Sequence, residues 1–178
     1  MSGILAMAGS NSSTSINHQL VAYTVSRIKD HSVLFRDLAS LKLPVYDADV
    51  EKEEGFPQVI TSLLSELRSA DGWIFSVNEH NGNPSAYTKS LLDWFSRKER
   101  HFAKGIPVLL MSASPGRGGA AGSQEVVARM LADRFGASAL TRFTLPSFRH
   151  TFDPAEGFLD PELEAAHQRA LKRFLEAL

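Results

Sequence analysis

Five short apolar runs alternate along the chain with five stretches in which apolar residues recur every three or four positions. The first run, Ile4 to Ala8, is apolar throughout, as in a strand buried on both faces. Ile16, Leu20, Val21, Val25 and Ile28 then follow helical spacing. Ser32 to Phe35 is a weaker second strand. Leu38 to Gly55 has no period and carries an acidic run, so it reads as a surface loop. Pro57 suits a first helical turn, and Val59, Ile60, Leu63, Leu64 and Leu67 form the stripe that follows.

Trp73 to Val77 is the third strand. A polar loop, Asn78 to Asn83, leads to a helix carrying Leu91, Leu92, Trp94 and Phe95. Pro107 to Met111 is the fourth strand, followed by a glycine-rich loop. Val126, Val127, Met130, Leu131 and Phe135 mark the next helix, with Gly136 as its C-terminal cap. Ser138 to Phe143 is the fifth strand. Asp160 and Pro161 open the last helix, with Leu163, Ala166, Ala170, Leu171, Phe174 and Leu175 on its apolar face.

Alternating strands and helices predict an α/β fold, a parallel sheet with helices on both faces. Right-handed crossovers leave two serious strand orders, flavodoxin-like 2-1-3-4-5 and a truncated dinucleotide-binding order. In either, ligands bind beyond the carboxyl ends of the strands, at the switch point. The loops after Ala8, Val77 and Met111 are therefore the ones to examine.

The 178 residues fit one domain spanning 1–178, and 43% hydrophobic against 22% charged residues is an ordinary globular balance. A net charge of −1 gives no field to draw nucleic acid or anionic membrane, so neither is expected as a partner. Without cysteine there is no thiol catalysis, disulfide or iron–sulfur ligation. The first ten residues lack a basic run, and no apolar stretch approaches membrane-spanning length; a cytoplasmic protein is expected.

The first loop, Gly9-Ser10-Asn11-Ser12-Ser13-Thr14-Ser15-Ile16-Asn17, packs hydroxyls and amides where a buried strand meets a helix N-terminus. Free N–H groups, the helix dipole and Ser/Thr hydroxyls suit a single phosphate monoester. Ser, Thr and Asn also cap helices without any ligand, and both readings stay open on composition. Neither a dinucleotide glycine fingerprint nor a Gly-Lys-Ser/Thr signature is present. In the second loop, Asn78 to Pro84, backbone groups can meet a flat polar ring edge while His80 lies against its face; a lone surface histidine is the plainer account. His80, His101 and His150 lack metal-ligand spacing. The third loop, Ser114 to Gly122, lets backbone approach a ligand closely, or is only a flexible turn.

Together these loops resemble the NADPH-dependent FMN reductase family of azoreductase-, quinone reductase- and chromate reductase-like flavoproteins. That family shows Gly-Ser-x-Arg-x-x-Ser-x-Asn after its first strand; here Gly9, Ser10, Ser15 and Asn17 match, and Ser12 stands at the arginine. Its Pro-Glu-Tyr-Asn-Gly and Leu-Lys-Asn-x-x-Asp-Trp motifs align with Glu79, Asn81, Gly82, Lys89, Asp93 and Trp94. Its Ser-x-Gly-x-x-Gly-Gly loop is close to Ser114 through Gly119, shortened by one residue. Leu43-Pro44-Val45-Tyr46-Asp47 resembles the segment after its second strand. Each motif alone is weak; three in register are strong, and they cover nearly the whole chain.

The resemblance implies a flavodoxin-like three-layer sandwich with a five-stranded parallel sheet in the order 2-1-3-4-5. It implies FMN as cofactor, with Ser10, Ser12, Ser15, Ile16 and Asn17 at its phosphate, Asn78, Glu79, His80 and Asn81 bordering the ring, and Ser114 and Gly116 on the other edge. It implies NADPH or NADH as hydride donor and a small acceptor: a quinone, azo compound, nitroaromatic, metal oxyanion or free flavin. The cofactor carries such chemistry, so no catalytic acid or base is nominated. The helix bearing Lys89, Asp93 and Trp94 would lie at a subunit interface of a homodimer or homotetramer, though a surface ion pair beside a half-buried tryptophan is the simpler account. Serine in place of arginine at 12 removes a charge-assisted contact of about 1.5–3 kcal/mol. Asn78 and His80 in place of Pro and Tyr change what packs beside the ring. Rival readings are an electron-transfer or regulatory flavodoxin-like module, a scaffold that has lost its cofactor, and a serine hydrolase, which lacks a Gly-x-Ser-x-Gly elbow.

Overall fold

The computed structural model describes residues 3–178. Strand β1, Ile4–Ala8, is followed by helix α1, Ile16–Ser26, and strand β2, Val33–Arg36. A 3-10 turn at Leu38–Ser40 leads to α2, Ala48–Glu54, and α3, Gln58–Arg68. Strand β3, Gly72–Val77, runs into a short hairpin of β4, Glu79–His80, and β5, Asn83–Pro84. Next come α4, Ala86–Lys98; β6, Pro107–Ala113; α5, Ala121–Asp133; and β7, Ala139–Leu145. The chain closes with α6, Phe148–Thr151, a second hairpin of β8, Phe152–Asp153, and β9, Gly157–Phe158, and α7, Pro161–Leu175.

The main sheet is β2-β1-β3-β6-β7, parallel throughout. Numbered among themselves, these strands have the 2-1-3-4-5 order of a flavodoxin-like fold. Side chains alternate across it as a pleat requires. Leu5, Met7, Trp73, Phe75, Val108 and Leu110 meet α3, α4 and α5 on one face. Ile4, Ala6, Ile74, Leu109 and Met111 meet α1 and α7 on the other. The three central strands are buried along their whole length, which explains their unbroken apolar sequences.

Three segments differ from the sequence reading. The loop from Leu38 to Gly55 contains the 3-10 turn and α2. Helix α2 has no fully buried residue and had no stripe to betray it; Asp47 Oδ1 caps it by accepting from the N–H groups of Asp49 and Val50. The polar loop after β3 is a tight hairpin, with Asn81 and Gly82 at φ +54 and +77, the left-handed pair that a two-residue turn requires. The connection after β7 carries α6 and the β8–β9 hairpin, whose Phe152 and Phe158 pack on Tyr23 of α1. Among the described residues no helix is long and apolar enough to cross a membrane.

Candidate ligand cleft at the sheet switch point

Helices α1 and α4 leave the adjacent strands β1 and β3 toward opposite faces, so a crevice opens above their carboxyl ends. A cleft of about 240 Å³ lies there, lined by Ser10, Thr14, Ser15, Ile16 and Asn17, by Asn78 and Glu79, and by Ala113, Ser114 and Pro115. All three loops singled out in the sequence meet in it.

The first loop forms one wall. Ser15 caps α1, its hydroxyl accepting from His18 N–H at 3.2 Å. Ser10 Oγ accepts from Ser12 N–H at 3.3 Å, and Ser12 Oγ from Thr14 N–H at 3.3 Å, so the hydroxyls curl the loop on itself. The Ile16 and Asn17 N–H groups at the start of α1 have no partner among the described residues. They are unspent donors at a helix N-terminus, where the dipole favours negative charge.

Asn17 also has a structural job. Its side chain is buried; Oδ1 accepts from Ser76 Oγ at 2.7 Å and Ala113 N–H at 2.9 Å, and Nδ2 donates to Ala113 O at 3.1 Å. The amide thereby ties α1 to β3 and β6 and fixes where three loops begin. Its Oδ1 is fully used, while the second Nδ2 proton and the backbone N–H remain.

The second loop is held from outside the cleft. Glu79 lines it, but Glu79 Oε2 accepts from Ser123 N–H at 3.2 Å, a cap on α5 supplied from another element. Gly122 permits the approach, since a Cβ there would stand 3.3 Å from the same carboxylate oxygen. Asn78 O accepts from Ser123 Oγ at 2.7 Å. In the third loop Gly119, at φ +57, packs so closely that an added Cβ would lie 2.6 Å from Thr144 Cγ2 and 2.9 Å from backbone. Ser114 O and Gly116 O accept from Phe148 and Ser147 N–H, which pins this loop to α6.

Of the residues expected to bind a ligand, Ser10, Ser15, Ile16, Asn17, Asn78, Glu79 and Ser114 line the cleft. Ser12, His80, Asn81 and Gly116 do not; all four are solvent-exposed on the surrounding loops, His80 and Asn81 because the hairpin turn carries them outward. Thr14, Ala113 and Pro115 were missed. Thr14 was visible as one more hydroxyl in the first loop, whereas nothing in an alanine or a proline announces a cleft. The wall residues include no lysine, arginine or histidine. No group of three His, Cys, Asp or Glu side chains capable of holding a metal occurs among the described residues.

Beside this cleft, α4 anchors the segment after β2. Ser90 Oγ donates to Pro44 O at 3.1 Å and accepts from Tyr46 N–H at 2.7 Å, while Trp94 Nε1 donates to Pro44 O at 3.0 Å. Trp94 is fully buried, more than a surface helix would require. Lys89 and Asp93 pair on the outer face at 2.6 Å. Tyr87 donates to Leu38 O at 2.8 Å, and burial, with a smaller effect of Asp37, pushes its phenol up to about 12.

Strand order and cleft position define a flavodoxin-like protein with a small cleft at the switch point. Residues 3–149 match the NADPH-dependent FMN reductase family, and the chain belongs to that family. A quinone reductase of Escherichia coli is 35% identical over 114 residues, 64% of this chain and 60% of that protein. An NAD(P)H-dependent FMN reductase of Pseudomonas aeruginosa is 29% identical over 122 residues, 68% of this chain and 64% of that one. The chain thus spans under two thirds of the length of these curated relatives. Among solved structures, FerB of Paracoccus denitrificans, a flavoenzyme NAD(P)H:(acceptor) oxidoreductase, superposes with a TM-score of 0.75 at 21% identity, covering 99% of this chain and 96% of its own, a likeness of fold.

Proposed function

We propose that this chain is an FMN-dependent NAD(P)H oxidoreductase that passes reducing equivalents to a small acceptor. The observation that carries the reading is the pair of unspent N–H groups of Ile16 and Asn17, ringed by the hydroxyls of Ser10, Thr14 and Ser15, at the switch point of a sheet of this family. Those donors fit a phosphate monoester. Asn78 and Glu79 on one side, and Ala113 to Pro115 on the other, would border the ring. Bound FMN supplies hydride acceptance and donation. The protein's part is to hold the phosphate with neutral donors, to offer backbone groups to the ring edge, and to keep water from the buried side. No side chain of the cleft wall is asked to move a proton.

Quinones head the acceptor classes, because the E. coli relative is named for them; azo compounds, metal oxyanions and free flavin belong to the same proposal. A single domain, a homodimer or homotetramer contacting through α4, and a cytoplasmic site of action complete it. The test is to load the purified protein with FMN, remove free flavin, and add NADPH or NADH without oxygen. Retained flavin absorption that bleaches on adding nicotinamide, and recovers with a quinone, is the expected result. A protein that retains no flavin and binds none at tens of micromolar would overturn it.

A further inference from the structure

The two walls of the cleft are joined behind it by a buried knot of hydroxyls that the ligand reading leaves unused. Thr88, in the first turn of α4, is fully buried. Its Oγ1 donates to Gly9 O, the first carbonyl of the first loop, and lies 3.2 Å from Asn78 Oδ1 in the second. Ser85 Oγ, which caps α4 by accepting from Thr88 N–H at 3.1 Å, donates to Thr88 Oγ1 at 3.2 Å. A threonine hydroxyl has one proton. Ser85 Oγ also reaches Gly9 O, at a long 3.5 Å; with Ser85 donating into it at the shorter distance, Thr88 offers its one proton to Gly9 O and Asn78 Oδ1, one acceptor from each wall. The contact is tight: a Cβ on Gly9 would stand 2.5 Å from Thr88 Oγ1 and 3.1 Å from the ring of Phe75. Neither Thr88 nor Ser85 lines the cleft.

We infer that Thr88 is a positioning residue, whose shared hydroxyl proton sets the separation between the phosphate-side loop at Gly9 and the ring-side loop at Asn78. The ligand part of this rests on the FMN reading; the coupling of the loops is a property of the chain itself. Losing the proton leaves Gly9 O with only the long contact from Ser85 and removes the link to Asn78, so the walls are free to part. Losing only the methyl leaves the coupling in place.

The experiment compares wild type, Thr88→Val and Thr88→Ser by titrating flavin fluorescence, alongside melting of the unliganded proteins. Thr88→Val should weaken FMN about tenfold, the effect of a lost buried hydrogen bond. Thr88→Ser should stay within about twofold of wild type, since it restores the proton. Equal affinities across the three, or a serine variant as weak as the valine one, would overturn the inference. If Thr88→Val does not fold, Thr88→Ala, which lacks the same proton, takes its place with the same expected loss of about tenfold. Should wild type bind no FMN, the cofactor reading fails by itself, and amide exchange in the unliganded protein decides the coupling. Faster exchange in segments 9–17 and 78–84 of Thr88→Val, absent in Thr88→Ser, supports it; unchanged exchange rejects it.

Discussion

At the scale of single residues, Asn17 has the largest consequence for its size. One amide satisfies a hydroxyl on β3 and both backbone groups of Ala113 on β6, all buried. Replacement by alanine strands those three partners at about 1–3 kcal/mol for each one that stays dry. Asn17→Ala should therefore lower stability by about 3 kcal/mol or more. The check is urea denaturation: a lower midpoint at unchanged slope is expected, and an unchanged midpoint would mean that water or a rotated Ser76 replaces the amide. Ser15 is simpler, since its cap on α1 is worth about 1 kcal/mol and would be the same in any protein.

At the scale of elements, α7 is fastened to α1 through His167. Its ring is buried, with Nε2 2.9 Å from Thr24 Oγ1 and Phe143, Phe158 and Tyr23 around it. Burial, with a lesser push from Arg27, lowers its pKa from 6.5 to about 4. A folded-state pKa below the unfolded one means that folding favours the neutral ring. That contribution is complete above about pH 6.5 and is lost as pH falls toward 4, by up to about 3 kcal/mol at 1.36 kcal/mol per pH unit. Melting temperature followed from pH 7 to pH 4 should fall more steeply in wild type than in His167→Gln; parallel curves would place the acid sensitivity elsewhere. The elements also show what a sequence discloses. The three central strands were legible as unbroken apolar runs, and α1, α3, α4, α5 and α7 because each buries a periodic apolar set. Helix α2 was not, because Asp47 caps it locally and Val50 alone packs toward the core, which leaves no apolar stripe to read. The β4–β5 hairpin was read as a plain loop, because its strands are two residues long and leave no alternation; Asn81-Gly82 was the one turn signal that could have found it.

At the scale of the whole molecule, the place of the cleft was legible and the duties of its residues less so. Strand alternation fixes where the crevice lies, and three unusual loops converge on it. Where a motif side chain ends up is decided by tertiary partners: Asn17 and Glu79 line the cleft while bonded to Ala113 and Ser123, and Ser12 and His80 stay out on the surface. What results is a cleft wall without a cationic side chain, in a chain of net charge −1. Binding of a phosphorylated ligand there should depend weakly on ionic strength, since short hydrogen bonds are screened far less than distant charges. FMN titrations with salt raised tenfold should differ in affinity by less than about threefold. A steeper fall would point to a cation reaching in from a neighbouring loop.

The bond from Asn17 to Ala113 spans 96 positions of the chain. Asn17 therefore lacks both of its Ala113 bonds until β6 has joined the sheet, and β6 itself pairs with β3. During synthesis, amino-terminal first, the loop after β1 is made early but acquires its final anchor only when more than half the polypeptide is out. A ligand for this crevice thus cannot template the early stages of folding. It meets a nearly finished sheet, and its role in assembly is to make the last step hard to reverse.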